Sequence, residues 1–185
     1  MRKGIPQIKI PIRPSELSIE RVEPYLTTIF SQFAENARKI RQDYDVYCLS
    51  HAIESKVRTH DDTDVNNIVL IPDMRYMIDW KVGYVCGNPI KYAQIETLDT
   101  DDIKYLNKYL KNSTQRTIDK TAITWAYTVG MGYYFIEPKS KTVNLEYEAP
   151  YEIYCRDADT CTRVYSSFGK KVPLFDILYT TFYIL

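Results

Sequence analysis

The sequence predicts an α+β fold in which N-terminal helices pack with an antiparallel β meander, and three observations carry that prediction. From Ser18 to about Met131 the apolar residues recur at spacings of three and four, the period of one-sided helices. From Gly132 onward the period shortens to two, as in half-buried strands. Gly87, Pro89, Gly130 and Pro138 fall between the periodic segments and punctuate them. The chain therefore divides into an extended N-terminal arm over residues 1–17, a mainly helical part over 18–131 and a β-rich part over 132–185 of the same domain.

Met1 to Pro14 holds prolines at 6, 11 and 14 and alternates Ile with polar residues, which suits an extended arm that lies on a neighbouring subunit or is disordered when alone. In the first long helix Leu26, Ile29, Phe30, Phe33, Ala37 and Ile40 form the apolar stripe, with Pro24 in an early turn or after a short leading helix. Glu35, Arg38, Lys39 and Arg41 mark its solvated side. Arg58 to Asp64 is polar enough for an exposed loop. Between Asp73 and Cys86, Met74, Met77, Ile78, Val82 and Val85 predict a second one-sided helix, opened by Pro72 and Asp73 and closed by a left-handed Gly87 before Asn88-Pro89. Ile90 to Ala93 should be extended. Two further helices are expected, one over Asp99 to Leu110 with Ile103, Leu106 and Leu110 on one face, and one over Thr114 to Val129 with Ile118, Ala122, Trp125 and Val129 inward and Gly130 as its stop.

The strands follow. Tyr133 to Ile136 should pair with Val143 to Tyr147 across a turn at Pro138 to Lys141. Shorter strands are expected at Tyr151 to Cys155, Thr162 to Ser166 and Ile177 to Leu185, with a turn at Arg156 to Asp159.

At 185 residues and 45% apolar content the chain can bury one good-sized core. Its 24 basic and 24 acidic residues cancel, so it carries no global electrostatic footprint for gripping phosphates. Cys48, Cys86, Cys155 and Cys161 include no CxxC pair, which argues against structural zinc and for reduced thiols. No apolar run approaches the roughly 20 residues of a membrane span. Tyrosine, at 17 residues, suits partly wet contacts such as subunit interfaces, or simply strand positions.

Chemical motifs are sparse. There is no phosphate-cradling GxxxxGK[ST] loop and no GxSxG elbow, so the chain is neither a packaging ATPase nor a serine hydrolase of that kind. His60, Asp61, Asp62 and Asp64 are the one candidate metal cluster, although such a segment is more often a solvated loop. Cys48 and His51 are the one candidate nucleophile pair, at a spacing that is more often accidental. Tyr76, Trp80 and Tyr84 recur at i, i+4 and i+8 and would stack on single-stranded bases or pack against a second layer or neighbouring subunit. Asp73, Asp79 and Arg75 around them do not make a basic groove, so packing is favoured, and the helix should be buried on both sides as the central element. No catalytic residue, cofactor or bound metal is expected, and no residue is assigned to nucleic acid.

Read in order, Asn66-Asn67-Ile68, the helix through Ile78-Asp79, Lys81-Val82-Gly83-Tyr84 and Gly87-Asn88-Pro89-Ile90-Lys91-Tyr92 resemble the signature stretch of the portal proteins of long-tailed bacteriophages. A weaker anchor is Tyr47 to Ile53, similar to the Tyr-x-Gly-x-His-x-Ile that often follows the first helix in that family, except that Leu49 replaces the glycine. Gly130 to Phe135 fits the family's layout loosely. The resemblance spans Tyr44 to Thr180 and implies the N-terminal or wing portion of a protein that is commonly much longer. It implies a structural, non-enzymatic subunit of a dodecameric ring at one capsid vertex of the virion, made in the host cytoplasm, through which double-stranded DNA is packaged and ejected. The implied partners are further copies of the chain, the large terminase subunit, the major capsid or scaffolding protein and a head-completion protein. The alternatives are a small phage or prophage adaptor domain and, less favoured, a metal-dependent enzyme using the His60 to Asp64 loop.

Overall fold

The computed structural model describes residues 4–50, 69, 71–94, 101–112, 114–139, 149–169 and 172–179. Its order is α+β. Strand β1 (Ile8–Ile10) is followed by a 3-10 turn at Pro14–Glu16, α1 (Ile19–Val22), a second 3-10 turn at Glu23–Tyr25 around Pro24, and the long α2 (Leu26–Tyr47). Then come α3 (Asp73–Val85), α4 (Asp101–Asn112), α5 (Gln115–Val129) and strands β2 (Tyr133–Pro138), β3 (Tyr151–Arg156), β4 (Cys161–Ser166) and β5 (Pro173–Leu178).

The N-terminal arm is extended as its alternation predicts, but it lies within the chain's own core and not on a neighbour. β1 pairs in parallel with β4, Ile8 against Val164 and Ile10 against Ser166, while β5 pairs antiparallel on the far side of β4. The alternation does the rest: Ile8, Ile10 and Ile12 turn inward with Ile29 and Phe33 of α2 and Val164 of β4. Each Ile buried this way contributes roughly 2 kcal/mol. Polar groups fix the arm's register. Asn36, buried on α2, donates to the Pro6 carbonyl at 3.0 Å, and the Ser166 hydroxyl donates to the Ile12 carbonyl at 2.6 Å. Asn36 takes its place in the inward stripe of α2, while Phe30 of the predicted stripe is half exposed.

Among the described residues the strands fall into two sheets and not one meander. β2 and β3 form a separate antiparallel pair, from Tyr133 opposite Arg156 to Pro138 opposite Tyr151. Residues 143–147, the predicted partner of β2, lie outside the described residues, as do 180–185 of the last predicted strand. The turn after β3 carries Ala158 into a second cluster with Ile40, Trp125 and Val129, where Tyr44 stacks on Trp125 at 4.1 Å between ring centroids. Gly130 ends α5 with φ of +84°, as its position predicts. Gly132 is needed for a different reason. A Cβ there would lie 2.3 Å from the Ala122 carbonyl oxygen, so only glycine lets the chain leave α5 this closely.

Two stops differ from expectation. Gly87 is not left-handed. A Cβ on it would lie 2.9 Å from the Gly83 carbonyl oxygen, so close approach and not dihedral freedom is what calls for glycine. The other is at the end of α2, which stops at Tyr47 although no glycine follows it. Leu49 takes φ of +64°, with its N–H donating to Val46 at 3.2 Å and that of Ser50 to Asp45 at 2.8 Å. This is a Schellman stop with leucine in the place glycine usually fills.

Candidate assembly surface

α3 begins where Pro72 supplies its carbonyl to the Tyr76 N–H at 2.9 Å and Asp73 sits in the positive first turn. It ends as Cys86 donates back to Val82 at 2.8 Å. Ile78, Val82 and Cys86 stand at i, i+4 and i+8, and they are buried against Tyr47, Met74 and Ile123. Met77 and Val85, also predicted inward, are exposed.

The opposite face corrects the prediction that this helix is buried on both sides. Tyr76 is 71% exposed, Trp80 72% and Tyr84 82%. Trp80 and Tyr84 stack on each other, centroids 6.1 Å apart and planes 17° from parallel. Met77 adjoins them one step round the helix. The helix is thus a one-sided tenant of the core with an aromatic back, and the central packing position belongs to β1 and β4 instead.

Gly83 lies in the same face, three residues after Trp80. A Cβ there would meet nothing within 4 Å. Glycine inside a helix costs about 1 kcal/mol relative to alanine, and nothing among the described residues requires it at this position.

The charged residues beside the row hold one another. Tyr47 donates its hydroxyl to Asp79 at 2.7 Å, Arg75 lies 3.6 Å from the same carboxylate, and the Arg75 guanidinium sits 5.8 Å from the Tyr47 ring centre. Burial first, and the bond to Asp79 second, push the Tyr47 hydroxyl up to about 12. Lys81 rests over Tyr127, 5.7 Å from its ring centre. Cations engaged in this way do not make the electropositive groove that base stacking uses, so the exposed row suits a protein partner better than single-stranded nucleic acid.

His60, Asp61, Asp62, Asp64 and His51 lie outside the described residues. Cys48 is exposed at the end of α2, and the four cysteines are free. Among the described residues no group of His, Cys, Asp and Glu is arranged to hold a metal ion, and no helix is long and apolar enough to cross a membrane. Sequence reasoning missed Asp119, a buried carboxylate in the inward stripe of α5. It accepts from Gln115 at 2.7 Å and from the Tyr134 hydroxyl at 3.0 Å, and burial together with that bond raises the Tyr134 hydroxyl above the ordinary range. An acid one position after Ile118 in an otherwise apolar stripe was the available signal. The segment after α3 forms no ladder. Asn107 of α4 takes the part of a neighbouring strand, accepting from the Tyr92 N–H at 2.9 Å and donating to its carbonyl at 2.8 Å.

No known protein-family model matches the chain, and no curated protein matches it.

Proposed function

We propose that the chain is a structural subunit of a phage portal, corresponding to its wing, and that the aromatic face of α3 is where a neighbouring subunit packs. The observation that carries this reading is the exposed Tyr76, Trp80, Tyr84 row built around Gly83. Exposed contiguous apolar faces of this kind mark interaction surfaces. A helical glycine with no neighbour among the described residues leaves room for a close approach from outside. The portal assignment draws further support from Leu49, which holds a left-handed conformation where the family often carries glycine. Zero net charge suits a ring that double-stranded DNA slides past without being gripped. No catalytic residue takes part. The terminase, capsid or scaffolding and head-completion proteins are the partners this reading proposes.

Sedimentation velocity over a range of concentrations, with negative-stain microscopy, tests the reading. The chain is expected to associate into closed rings as concentration rises, and Trp80→Lys to remain monomeric. Gly83→Ala is the sharper variant: it should stabilise the monomer by about 1 kcal/mol while weakening association. A chain that sediments as a monomer throughout overturns the reading, and one that stops at a dimer replaces the portal subunit with an adaptor domain.

A further inference from the structure

A cavity of about 250 Å³ opens where the arm, α2 and β4 meet. Pro6 is its cause. Without an N–H it cannot extend the β1 ladder beyond Ile8, so the arm leaves β4 there, and the Pro6 carbonyl accepts from Asn36 of α2 instead. Cys161, Thr162 and Arg163 are thus paired with β5 on one side and line the gap on the other.

Ile8, Phe33, Ile40 and Met131 supply apolar walls, and the polar groups among them have capacity to spare. Thr162 is 9% exposed, and its hydroxyl has no hydrogen-bond partner among the described residues. Asn36 is 4% exposed, and its side-chain carbonyl is likewise unpartnered there, since the bond to Pro6 uses only the amide nitrogen. Tyr133 donates to the Met131 thioether at 3.4 Å, a weak acceptor. Buried groups left in this state are costly until something supplies the missing bonds. Water would satisfy the oxygens but leave the apolar walls wet. Arg163, the charged residue of the described lining, is already held by Asp176 through bonds of 2.6 and 2.8 Å, so the fitting occupant is neutral. The space falls below the roughly 300–1,000 Å³ of small-molecule sites and suits a single side chain. A neutral ring that both donates and accepts at its tip meets these conditions, and that is tyrosine.

The chain carries such a tyrosine on another face. Tyr84 of α3 is exposed, and its hydroxyl makes no bond among the described residues. Trp80 stacks on its ring and steadies it, and Gly83 beside it lets the helix backbone come close to a neighbour. Tyr84 is not placed to fill the cavity of its own chain: α3 packs on Tyr47 and Ile123, neither of which lines the cavity, and turns Tyr84 outward. We propose that Tyr84 of one copy enters the cavity of the next, its hydroxyl donating to Asn36 and accepting from Thr162. This names the partner of the aromatic face and rests on the assembly reading. The contact joins two different surfaces of the chain, so it repeats head to tail, the kind of contact that closes into rings.

Sedimentation velocity of the full chain tests the site with Tyr84→Ala, Tyr84→Phe and Gln7→Trp. Gln7 is exposed on the cavity rim, so a larger ring there fills the space while the core stays as it is. Tyr84→Ala and Gln7→Trp should each stay monomeric. Mixed in equal amounts they should pair, because each keeps the half of the contact that the other lacks, and the pair should not grow. Tyr84→Phe should weaken association about fivefold, the net worth of a hydrogen bond. Circular dichroism of each variant separates loss of association from loss of fold. Rings that survive Gln7→Trp, variants that stay apart when mixed, or Tyr84→Phe associating as tightly as the parent overturn the site and leave the aromatic face as an interface. A parent chain that stops at a dimer overturns it too, because a closed pair packs one surface on itself, and a parent that never associates removes the assembly reading with it.

Discussion

Helices α2 and α3 bury their inward stripes almost equally, Ile29 and Phe33 on one and Ile78 and Val82 on the other, yet their backs are made of different material. α2 turns Glu35, Arg38 and Arg41 to solvent, with Lys39 paired to Glu35 at 2.6 Å. α3 turns Tyr76, Met77, Trp80 and Tyr84 outward. The hydrophobic effect counts area removed from water, so an aromatic back left wet forgoes stabilisation that a polar back never offered. Phe30 apart, α2 has therefore completed its packing within the chain, and α3 has completed half of it.

The largest expected effect breaks this comparison on the monomer. Ile29→Ala, fully enclosed against β1 and β4, should cost about 3 kcal/mol or more, because a rigid cavity is left behind. Ile78→Ala should cost less, about 2 kcal/mol, since one helix backed only by solvent can settle into the space. Trp80→Lys should change monomer stability by no more than about 0.5 kcal/mol, despite removing the largest side chain of the three. Urea unfolding at a concentration below association measures all three. A Trp80 loss as large as that of Ile29 would mean that the aromatic face is already packed within the chain.

The same contrast shows what could be read in the sequence. The helices and the stop at Gly130 were legible because period and capping are local, set by residues three or four apart. The pairing of β1 with β4 was not, because it joins Ile8 to Val164 and no local pattern names a partner at that distance. On α3 the period and the inward side of Ile78 and Val82 were legible and the exposure of the aromatic side was not, since only tertiary packing decides whether a second apolar stripe is covered. Gly83 looked like part of a motif, and only the empty space around it made it informative.

A smaller effect is expected at the end of α2. The left-handed region costs a residue with a Cβ about 1–2 kcal/mol, and Leu49 bears that cost at φ of +64°. Leu49→Gly removes the strain but loosens the unfolded chain and forfeits the contacts of a partly buried side chain. The net expectation is a gain of about 0.5–1 kcal/mol, read as a higher urea midpoint with unchanged slope. A loss instead would show that the Leu49 side chain, and not the turn, is what holds the chain at this point.

The smallest effect is alkaline. Burial pushes Tyr133, in the second core, and Tyr47, beside α3, up to about 12 from 10.0. A raised pKa means that the folded state prefers the neutral phenol, so the unfolded chain gives up its proton first as pH rises. Their contribution is whole below about pH 10, the unfolded value, and is lost as pH climbs through the folded one near 12. Phenylalanine keeps the ring and deletes the titration, so melts of Tyr133→Phe should fall less steeply than those of the parent chain across that window. Tyr47→Phe should follow the same sign with a smaller change, because water reaches Tyr47 more readily and because the variant also loses the bond to Asp79 at every pH. Should Tyr47→Phe flatten the alkaline slope more than Tyr133→Phe, the layer under α3 would be the drier of the two, and the half-packed helix would have to be read as the better enclosed.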